Sequence, residues 1–274
     1  MRTRQGETWS QWQALEVGAG EGSSGTEGDA VIDATEVEVR LTGEVAQATL
    51  TVWASPEEPL DSASLTRVDG TQVPEGSSTS PEQQLQSTGV DGPIIQTRAQ
   101  WGADESIRRW SPNHIENPTL GVTIHHTAGT NDYTADQVPA ILRGIYQYHA
   151  ITRDWGDVGY TMLVDKYGRA WEGRAGSIDR PLRTAHAYGM NYTTAGISLL
   201  GDYDRVEVPT LGFEAMAAVT AWKLDAHGLS VDDTFTHTND YFGWTRELPT
   251  VHAHRDVDST ACPGRFFVAR MDEF

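Results

Sequence analysis

Large apolar residues are distributed unevenly along the 274-residue chain, and this limits where a packed core can form. Residues 54–92 consist mainly of Pro, Ser, Thr, Gly, Glu and Gln, a composition typical of solvated linkers. Regular apolar patterns resume at Ile94 and continue toward the C-terminus. We therefore expect a β-rich accessory region over residues 1–53, a linker over 54–93 and one larger folded domain over 94–274.

The accessory region has the alternation of β-strands. Val37, Val39 and Leu41 fall on one face of an extended segment, and residues 48–53 continue the pattern. Three or four short strands make a marginal sheet on their own. We interpret residues 1–53 as part of a β-sandwich whose first strands lie upstream.

The larger domain alternates strand and helix patterns. Strands are predicted at 119–125 and 195–201, and a hairpin over 159–173. Apolar residues at helical spacing predict a helix over 135–152 and a second one over 212–227, with Phe213, Met216, Thr220 and Leu224 facing inward. Strands interleaved with helices place this domain in the α/β class.

Charge and cysteine content exclude several classes of protein. Residues 1–93 hold 4 Arg against 16 acidic residues, a net of −12, and residues 94–274 hold 16 basic against 23 acidic residues, a net of −7. This acidity argues against binding to nucleic acid or to an anionic membrane. A single cysteine excludes an intramolecular disulfide. We find neither a membrane-spanning apolar run nor a signal peptide in this chain.

All nine histidines and the cysteine lie beyond residue 113, so the chemistry is expected in the larger domain. Cys262 follows His254 by eight residues, and two histidines with one cysteine are a known catalytic zinc set that leaves a fourth position open. The remaining donor is expected at the end of the strand that carries His125 and His126. These two side chains point to opposite faces, so only one can bind the same metal.

Two alternatives stay open at the level of residue types. His252 shares a face with His254 if that segment is extended, and so competes as a donor. A Cys–His protease dyad built on Cys262 is the other alternative.

Five ordered motifs resemble the type 2 N-acetylmuramoyl-L-alanine amidases, the superfamily that includes phage lysozyme-type amidases and the peptidoglycan recognition proteins. Together they cover about residues 94–274, and five motifs in family order are far more specific than one. The chain looks most like the actinobacterial secreted branch. The motifs are Ile124-His-His-Thr-Ala-Gly129, Trp155-Gly-Asp-Val-Gly-Tyr160, Asp165-Lys-Tyr-Gly-Arg-Ala-Trp-Glu-Gly-Arg174, Ala185-His-Ala-Tyr-Gly-Met-Asn191, and His254-Arg-Asp256 with Cys262-Pro-Gly264.

The resemblance implies a mixed central β-sheet flanked by helices, and a role for each matching residue. It assigns zinc to His125, His254 and Cys262, which turns His126 away from the metal and makes His252 a neighbour. Tyr160 matches the active-site tyrosine, and Thr260 matches a position that helps to hold the substrate carbonyl. Substrate binding falls to the remaining matched residues: His126, His149, Arg153, His186 and Asn191.

The implied activity is zinc-dependent hydrolysis of the amide between N-acetylmuramic acid and L-alanine in peptidoglycan. The alternative is a non-catalytic recognition module, and Cys262 favours the enzyme because non-catalytic relatives typically lose that ligand. A monomer, secreted or in the cell envelope, is expected from the substrate. The chain departs from many actinobacterial relatives at Ala135 and Gly156, where they carry a cysteine pair.

Overall fold

The computed structural model describes residues 92–115, 119–178 and 180–274, together with the backbone of six short strands nearer the N-terminus. Within these strands β1 pairs antiparallel with β2 and β5, and β3 pairs with β4. The rest of the predicted accessory region and linker lies outside the described residues, so the division of the chain at 53 and 93 stays a prediction. The six strands are β1 (Arg2–Gln5), β2 (Thr8–Trp9), β3 (Gly18–Ala19), β4 (Thr26–Glu27), β5 (Glu36–Glu38) and β6 (Thr66–Arg67).

Eight further strands and three α-helices follow from residue 94 onward. The strands are β7 (Ile94–Gln96), β8 (Gly121–His126), β9 (Met162–Val164), β10 (Ala170–Glu172), β11 (Thr194–Leu199), β12 (Thr234–Asn239), β13 (Trp244–Pro249) and β14 (Val251–Ala253). The helices are α1 (Val138–Gln147), α2 (Thr210–Ala226) and α3 (Arg265–Val268), and α1 continues into a π-helical turn, Tyr148–Thr152. Short 3₁₀ turns occupy Glu105–Ile107, Ala135–Gln137, His254–Asp256 and Met271–Glu273.

Seven of these strands form one sheet in the order β14-β8-β11-β9-β10-β7-β6. The neighbours from β14 to β9 run parallel, whereas β10 runs antiparallel to β9 and β7 runs parallel to β10. The short strand β6 adds to the outer edge, antiparallel to β7. The sheet is therefore mixed and flanked by helices, which confirms the predicted α/β architecture.

Strand alternation gives the sheet one strongly apolar face. Ile124 of β8, Ile197 of β11 and Val251 of β14 point to this face and pack in a single core with Phe213 and Met216 of α2. The predicted inward residues of the second helix are all buried. Burial of this face against α2 is the main source of stabilisation expected for the domain.

The opposite face is divided between packing and chemistry. Leu163 of β9 and Trp171 of β10 pack in a second core with Ile141, Leu142 and Ile145 of α1. Toward the β14 edge the same face is polar instead. Register places Thr123 of β8 between Gly196 of β11 and His252 of β14, with His125 two residues further along. The face of the sheet that packs against α1 thus also carries buried polar groups, near the β14 edge.

An antiparallel hairpin, β12–β13, lies between α2 and β14 and was not predicted from the sequence. Leu248 of β13 packs with Ala187, Met190 and Val257 in a small separate core. Most other side chains of the hairpin are exposed. Among the described helices, none has both the length and the apolar character that crossing a bilayer requires.

Candidate metal centre

The side chains of His125, His254 and Cys262 converge at one end of the polar sheet face. Each offers one ligand atom, and these atoms lie within 4.8 Å of one another. His125 Nδ1 is 3.7 Å from Cys262 Sγ, and the rings of His125 and His254 are 4.4 Å apart between centroids. His125 and Cys262 are buried, with 1% and 8% of their surfaces exposed.

Parallel strand pairing explains why these residues meet. Ala253 of β14 lies opposite Ile124 of β8, so His254, one residue later, emerges beside His125. The loop that carries Cys262 folds back on the same turn, because Arg255 N donates to Cys262 O at 3.0 Å. Cys262 Sγ also accepts from His126 N at 3.3 Å. The three donors therefore gather at the carboxyl ends of neighbouring parallel strands, where ligand sites of open α/β sheets usually lie.

A hydrogen bond between two buried imidazoles determines which nitrogen His125 presents to the cluster. His186 Nε2 lies 3.1 Å from the carbonyl oxygen of Thr194, which can only accept, so this nitrogen carries the proton. His186 Nδ1 is then an acceptor, and it lies 2.9 Å from His125 Nε2. His125 Nε2 must therefore donate, which leaves the lone pair of Nδ1 directed toward Cys262.

The position of His186 is itself fixed from two sides. Asn191 Oδ1 accepts hydrogen bonds from His186 N at 2.7 Å and from Ala187 N at 3.1 Å. The ring lies directly over Gly196, where an added Cβ would come within 2.5 Å of His186 Cγ. Glycine at this point of β11 gives the imidazole the space to lie flat against the strand.

A chain of hydroxyl groups continues from His186 to His252. Thr123 Oγ1 is 2.9 Å from both Thr194 Oγ1 and His252 Nε2. His252 Nδ1 lies 3.0 Å from Pro249 O, so this nitrogen donates and Nε2 accepts from Thr123. Both ring nitrogens of His252 are engaged away from the cluster, and His254 takes the donor position. Thr123 and Thr194 were not predicted from the sequence, although Thr123 precedes His125 by the two residues that place it on the same strand face.

The donor set suits a zinc ion. Two imidazoles and one thiolate are a ligand set of catalytic zinc sites, which bind at about 2.0–2.3 Å and keep a fourth position open. In this structure the hydrogen bond between His125 Nε2 and His186 orients His125 Nδ1, and Cys262 Sγ lies 3.7 Å from that nitrogen. These residues therefore fit the metal that the family resemblance implies.

Tyr160 and Thr260 lie at the margin of the cluster. The half-buried Tyr160 ring is 5.3 Å from the His125 ring between centroids. Thr260 is exposed, and its Oγ1 accepts from Cys262 N at 3.2 Å. This contact places the Thr260 hydroxyl beside the backbone of a metal-ligand candidate.

His149 lies on the π-helical turn after α1, and Arg153 directly follows the end of this turn. His149 Nδ1 accepts from Gly159 N at 3.1 Å, and its ring packs between Trp155 and Tyr160 at 4.7 and 5.5 Å. The Arg153 guanidinium lies 5.1 Å from the centroid of the Trp155 ring. Together with Tyr160, these side chains form one wall beside the candidate metal ligands.

The other predicted substrate residues are more enclosed. His126 is 3% exposed, and its Nδ1 accepts from Tyr203 N at 3.1 Å on the side of the sheet opposite to His125. His186 is buried, and Asn191 holds the backbone around it. Substrate contact by His126, His149, Arg153, His186 and Asn191 stays a prediction.

Burial keeps the imidazoles around the cluster neutral. Desolvation lowers the pKa of His149 and of His186 to about 3, and that of His252 to about 4. Desolvation also lowers the pKa of His125 well below its usual value, assisted by the neighbouring His254 and His186. A neutral imidazole is the form that can bind a metal or accept a hydrogen bond.

These lowered pKa values predict a pH dependence of stability. Unfolded histidine has a pKa of about 6.5, so below that pH the unfolded chain binds more protons than the folded one, and the unfolding free energy falls as pH drops. His149 contributes a slope of up to about 1.4 kcal/mol per pH unit between its unfolded pKa and its folded pKa of about 3. In urea unfolding of metal-free protein between pH 7.5 and 4.5, His149→Gln should show a shallower loss of stability than the parent. Equal slopes would show that His149 is not buried in neutral form.

Comparison with known proteins relates much of this chain to one family. The N-acetylmuramoyl-L-alanine amidase family model, Amidase_2, matches residues 116–265. Peptidoglycan-recognition protein SC2 of Drosophila melanogaster is 30% identical over 175 residues, which are 64% of this chain and 83% of that protein. The human N-acetylmuramoyl-L-alanine amidase is 28% identical over 176 residues, which are 63% of this chain and 27% of the human protein.

Solved structures show the same architecture. Drosophila PGRP-LB superposes with a TM-score of 0.50 at 25% identity, covering 64% of this chain and 91% of that one. Peptidoglycan recognition protein-LE, solved in complex with tracheal cytotoxin, superposes with a TM-score of 0.52 at 22% identity, covering 64% and 92%, a likeness of fold alone. The family match spans more than half of the sequence and includes all three converging donors. This chain therefore belongs to the N-acetylmuramoyl-L-alanine amidase family.

Proposed function

We propose that this protein is a zinc-dependent peptidoglycan hydrolase that cleaves the amide between N-acetylmuramic acid and the L-alanine of the stem peptide. The proposal is carried by one observation, the convergence of Cys262 with His125 and His254 in a member of this family. Relatives in the family include both amidases and recognition proteins. Retention of the complete donor set, the thiol included, favours the catalytic group.

Zinc held by two imidazoles and a thiolate supplies Lewis acidity toward a carbonyl and lowers the pKa of water toward neutrality. His125 and His186 prepare the protein for this role, because their hydrogen bond holds the Nδ1 lone pair in place before any ligand arrives. Preorganisation of this kind spares the site a reorganisation during the reaction.

Tyr160 is the side chain best placed to stabilise charge on the substrate. Its ring lies beside that of His125, and its phenol can donate a hydrogen bond to the carbonyl oxygen as negative charge develops. Thr260 offers a second hydroxyl, next to Cys262 N. We assign Thr260 to holding the scissile carbonyl in position.

The wall that contains Arg153 supports recognition of the stem peptide. The Arg153 guanidinium lies over Trp155. A carboxylate of the stem peptide is the matching partner for a guanidinium. His149 is held neutral beside Tyr160, so the positive charge of this wall comes from Arg153.

The substrate lies outside the cytoplasmic membrane, and this places the proposed site of action in the cell envelope or the surrounding medium. We propose that the protein acts there as a monomer on peptidoglycan or on soluble muropeptides.

Zinc dependence and bond specificity can be tested together. Zinc-loaded protein should release peptides with new N-terminal L-alanine from peptidoglycan and produce no new reducing sugar. Chelation or Cys262→Ser should lower that release by at least about 100-fold, because chelation removes the metal and the substitution leaves the donor set incomplete.

The alternatives give different results in the same assay. Binding of muropeptide by zinc-loaded protein without release of peptides that begin with L-alanine would identify a recognition module. Loss of activity on alkylation of Cys262 but not on chelation would identify a thiol nucleophile.

The hydrogen bond between the two imidazoles predicts that His186 controls metal affinity. His186→Leu removes the acceptor for His125 Nε2 and should weaken zinc binding by about 10- to 100-fold in competition with a chromophoric chelator. Thr194→Val is the matched control, because it removes only the hydroxyl and keeps the carbonyl that fixes the His186 tautomer. Equal zinc affinities for His186→Leu and the parent would contradict this role.

Replacing the Tyr160 phenol separates catalysis from metal binding. Tyr160→Phe keeps the ring against His125 and removes the hydroxyl, so kcat should fall by about 100-fold. Zinc affinity should stay at the parental value in the chelator titration. An unchanged kcat would remove Tyr160 from the proposed mechanism.

A further inference from the structure

Three aromatic side chains cluster on the surface next to the hairpin turn. The rings of Tyr188 and Tyr241 are stacked, with centroids 4.2 Å apart and an interplanar angle of 4°. The Phe242 ring stands nearly perpendicular to both, with its centroid 4.9 Å from Tyr241 and 6.4 Å from Tyr188. Tyr241 and Phe242 are 58% and 42% exposed. We call Tyr188, Tyr241 and Phe242 the aromatic platform.

One buried amide holds the backbone of all three residues. Asn239 is 0% exposed, and its Nδ2 donates to Tyr188 O at 2.7 Å. Its Oδ1 accepts from Tyr241 N at 3.1 Å and from Phe242 N at 3.2 Å. Gly189 makes space for this amide, because an added Cβ there would lie 2.2 Å from Asn239 Oδ1. The fold therefore holds the backbone of the platform in a fixed position, unlike that of a surface loop without such contacts.

Packing of the hairpin does not account for the exposure of these rings. The small core beneath it consists of Ala187, Met190, Leu248 and Val257, with Phe235 and Trp244 packed against it. The platform lies outside this core and presents aromatic surface to solvent. Exposed aromatic groups held together in this way mark binding surfaces, because their rings are apolar while the tyrosine hydroxyls can form hydrogen bonds.

The platform adjoins the metal centre through a short rigid segment. Tyr188 follows His186 by two residues, and a chain of two residues spans at most about 7 Å. Asn191 fixes this segment at His186, and Asn239 fixes it at Tyr188. A ligand on the platform is thus held in a constant position relative to His125, the partner of His186.

We propose that the aromatic platform binds a sugar ring of the peptidoglycan glycan strand, beyond the muramic acid residue at the metal centre. This rests on the proposed function, because the substrate is a polymer that must continue past the cleaved bond. Pyranose C–H groups pack on the flat face of an aromatic ring, and sugar hydroxyls can bond to the tyrosine hydroxyls. The exposed Asp240 next to Tyr241 favours neutral hydroxyl donors over a phosphate-bearing ligand.

A neutral oligomer of N-acetylglucosamine is the probe, titrated by NMR into the full chain. Tyr241→Ala should raise its Kd about tenfold, whereas Tyr241→Phe should raise it less, because it keeps the ring and removes only the hydroxyl. Val231→Ala is the matched control, since Val231 is an exposed apolar residue outside the platform, with 41% of its surface accessible. Thermal unfolding of each variant checks that the fold is kept, and Phe242→Ala replaces Tyr241→Ala if the latter unfolds.

Hydrolysis assays separate this proposal from the proposed function. On polymeric peptidoglycan Tyr241→Ala should raise KM, while its kcat on a short muramoyl peptide stays at the parental value. Failure of the proposed function would appear as no hydrolysis of the short peptide by the parent, and the oligomer titration would still report on the platform. Equal oligomer affinities for the parent and Tyr241→Ala would overturn the proposal. Self-association of the parent that Tyr241→Ala abolishes, without oligomer binding, would overturn it in favour of a second copy.

Discussion

The hydrogen bond between the buried imidazoles of His125 and His186 is the interaction on which the rest of the site depends. The Thr194 carbonyl can only accept, which determines the protonated nitrogen of His186 and, through it, that of His125. The His125 Nδ1 lone pair therefore faces Cys262. Burial keeps the His186 ring neutral, with a pKa of about 3. Gly196 and Asn191 hold that ring in place. A thiol and two imidazoles then meet with one donor already oriented, which is the condition that a tight metal site requires.

Strand alternation separates stability from chemistry in this sheet. One face is filled with apolar side chains against α2, and its burial stabilises the domain without involving the site. The other face places Thr123, His125 and His252 in neighbouring register positions at its parallel edge. Because the carboxyl ends of β8 and β14 lie side by side, residues 125 and 254 meet although they are far apart in sequence. The architecture therefore supplies the proximity, and the polar chain supplies the orientation.

Periodicity predicted the α/β class and the main strands and helices, whereas the family resemblance singled out the three residues that converge. The period-two argument separated His125 from His126, and their rings do contact different partners. Spacing left His252 and His254 as competing donors, since the difference arises from the bonds of His252 to Thr123 and Pro249, which depend on strand register. The hairpin was missed because its strands, though alternating, are mostly exposed and lack an apolar face. Its clamp, Asn239, looks like an ordinary turn residue until the contact with Tyr188 is seen.

The most direct test of this account is an anomalous diffraction measurement at the zinc absorption edge, on crystals of the zinc-loaded chain. We predict one strong peak bonded to His125 Nδ1, to a ring nitrogen of His254 and to Cys262 Sγ, at about 2.0–2.3 Å. His125 Nε2 should remain within hydrogen-bonding distance of His186 Nδ1 in the same crystals. A zinc ion bonded through His125 Nε2, or one bound by His252 in place of His254, would contradict it.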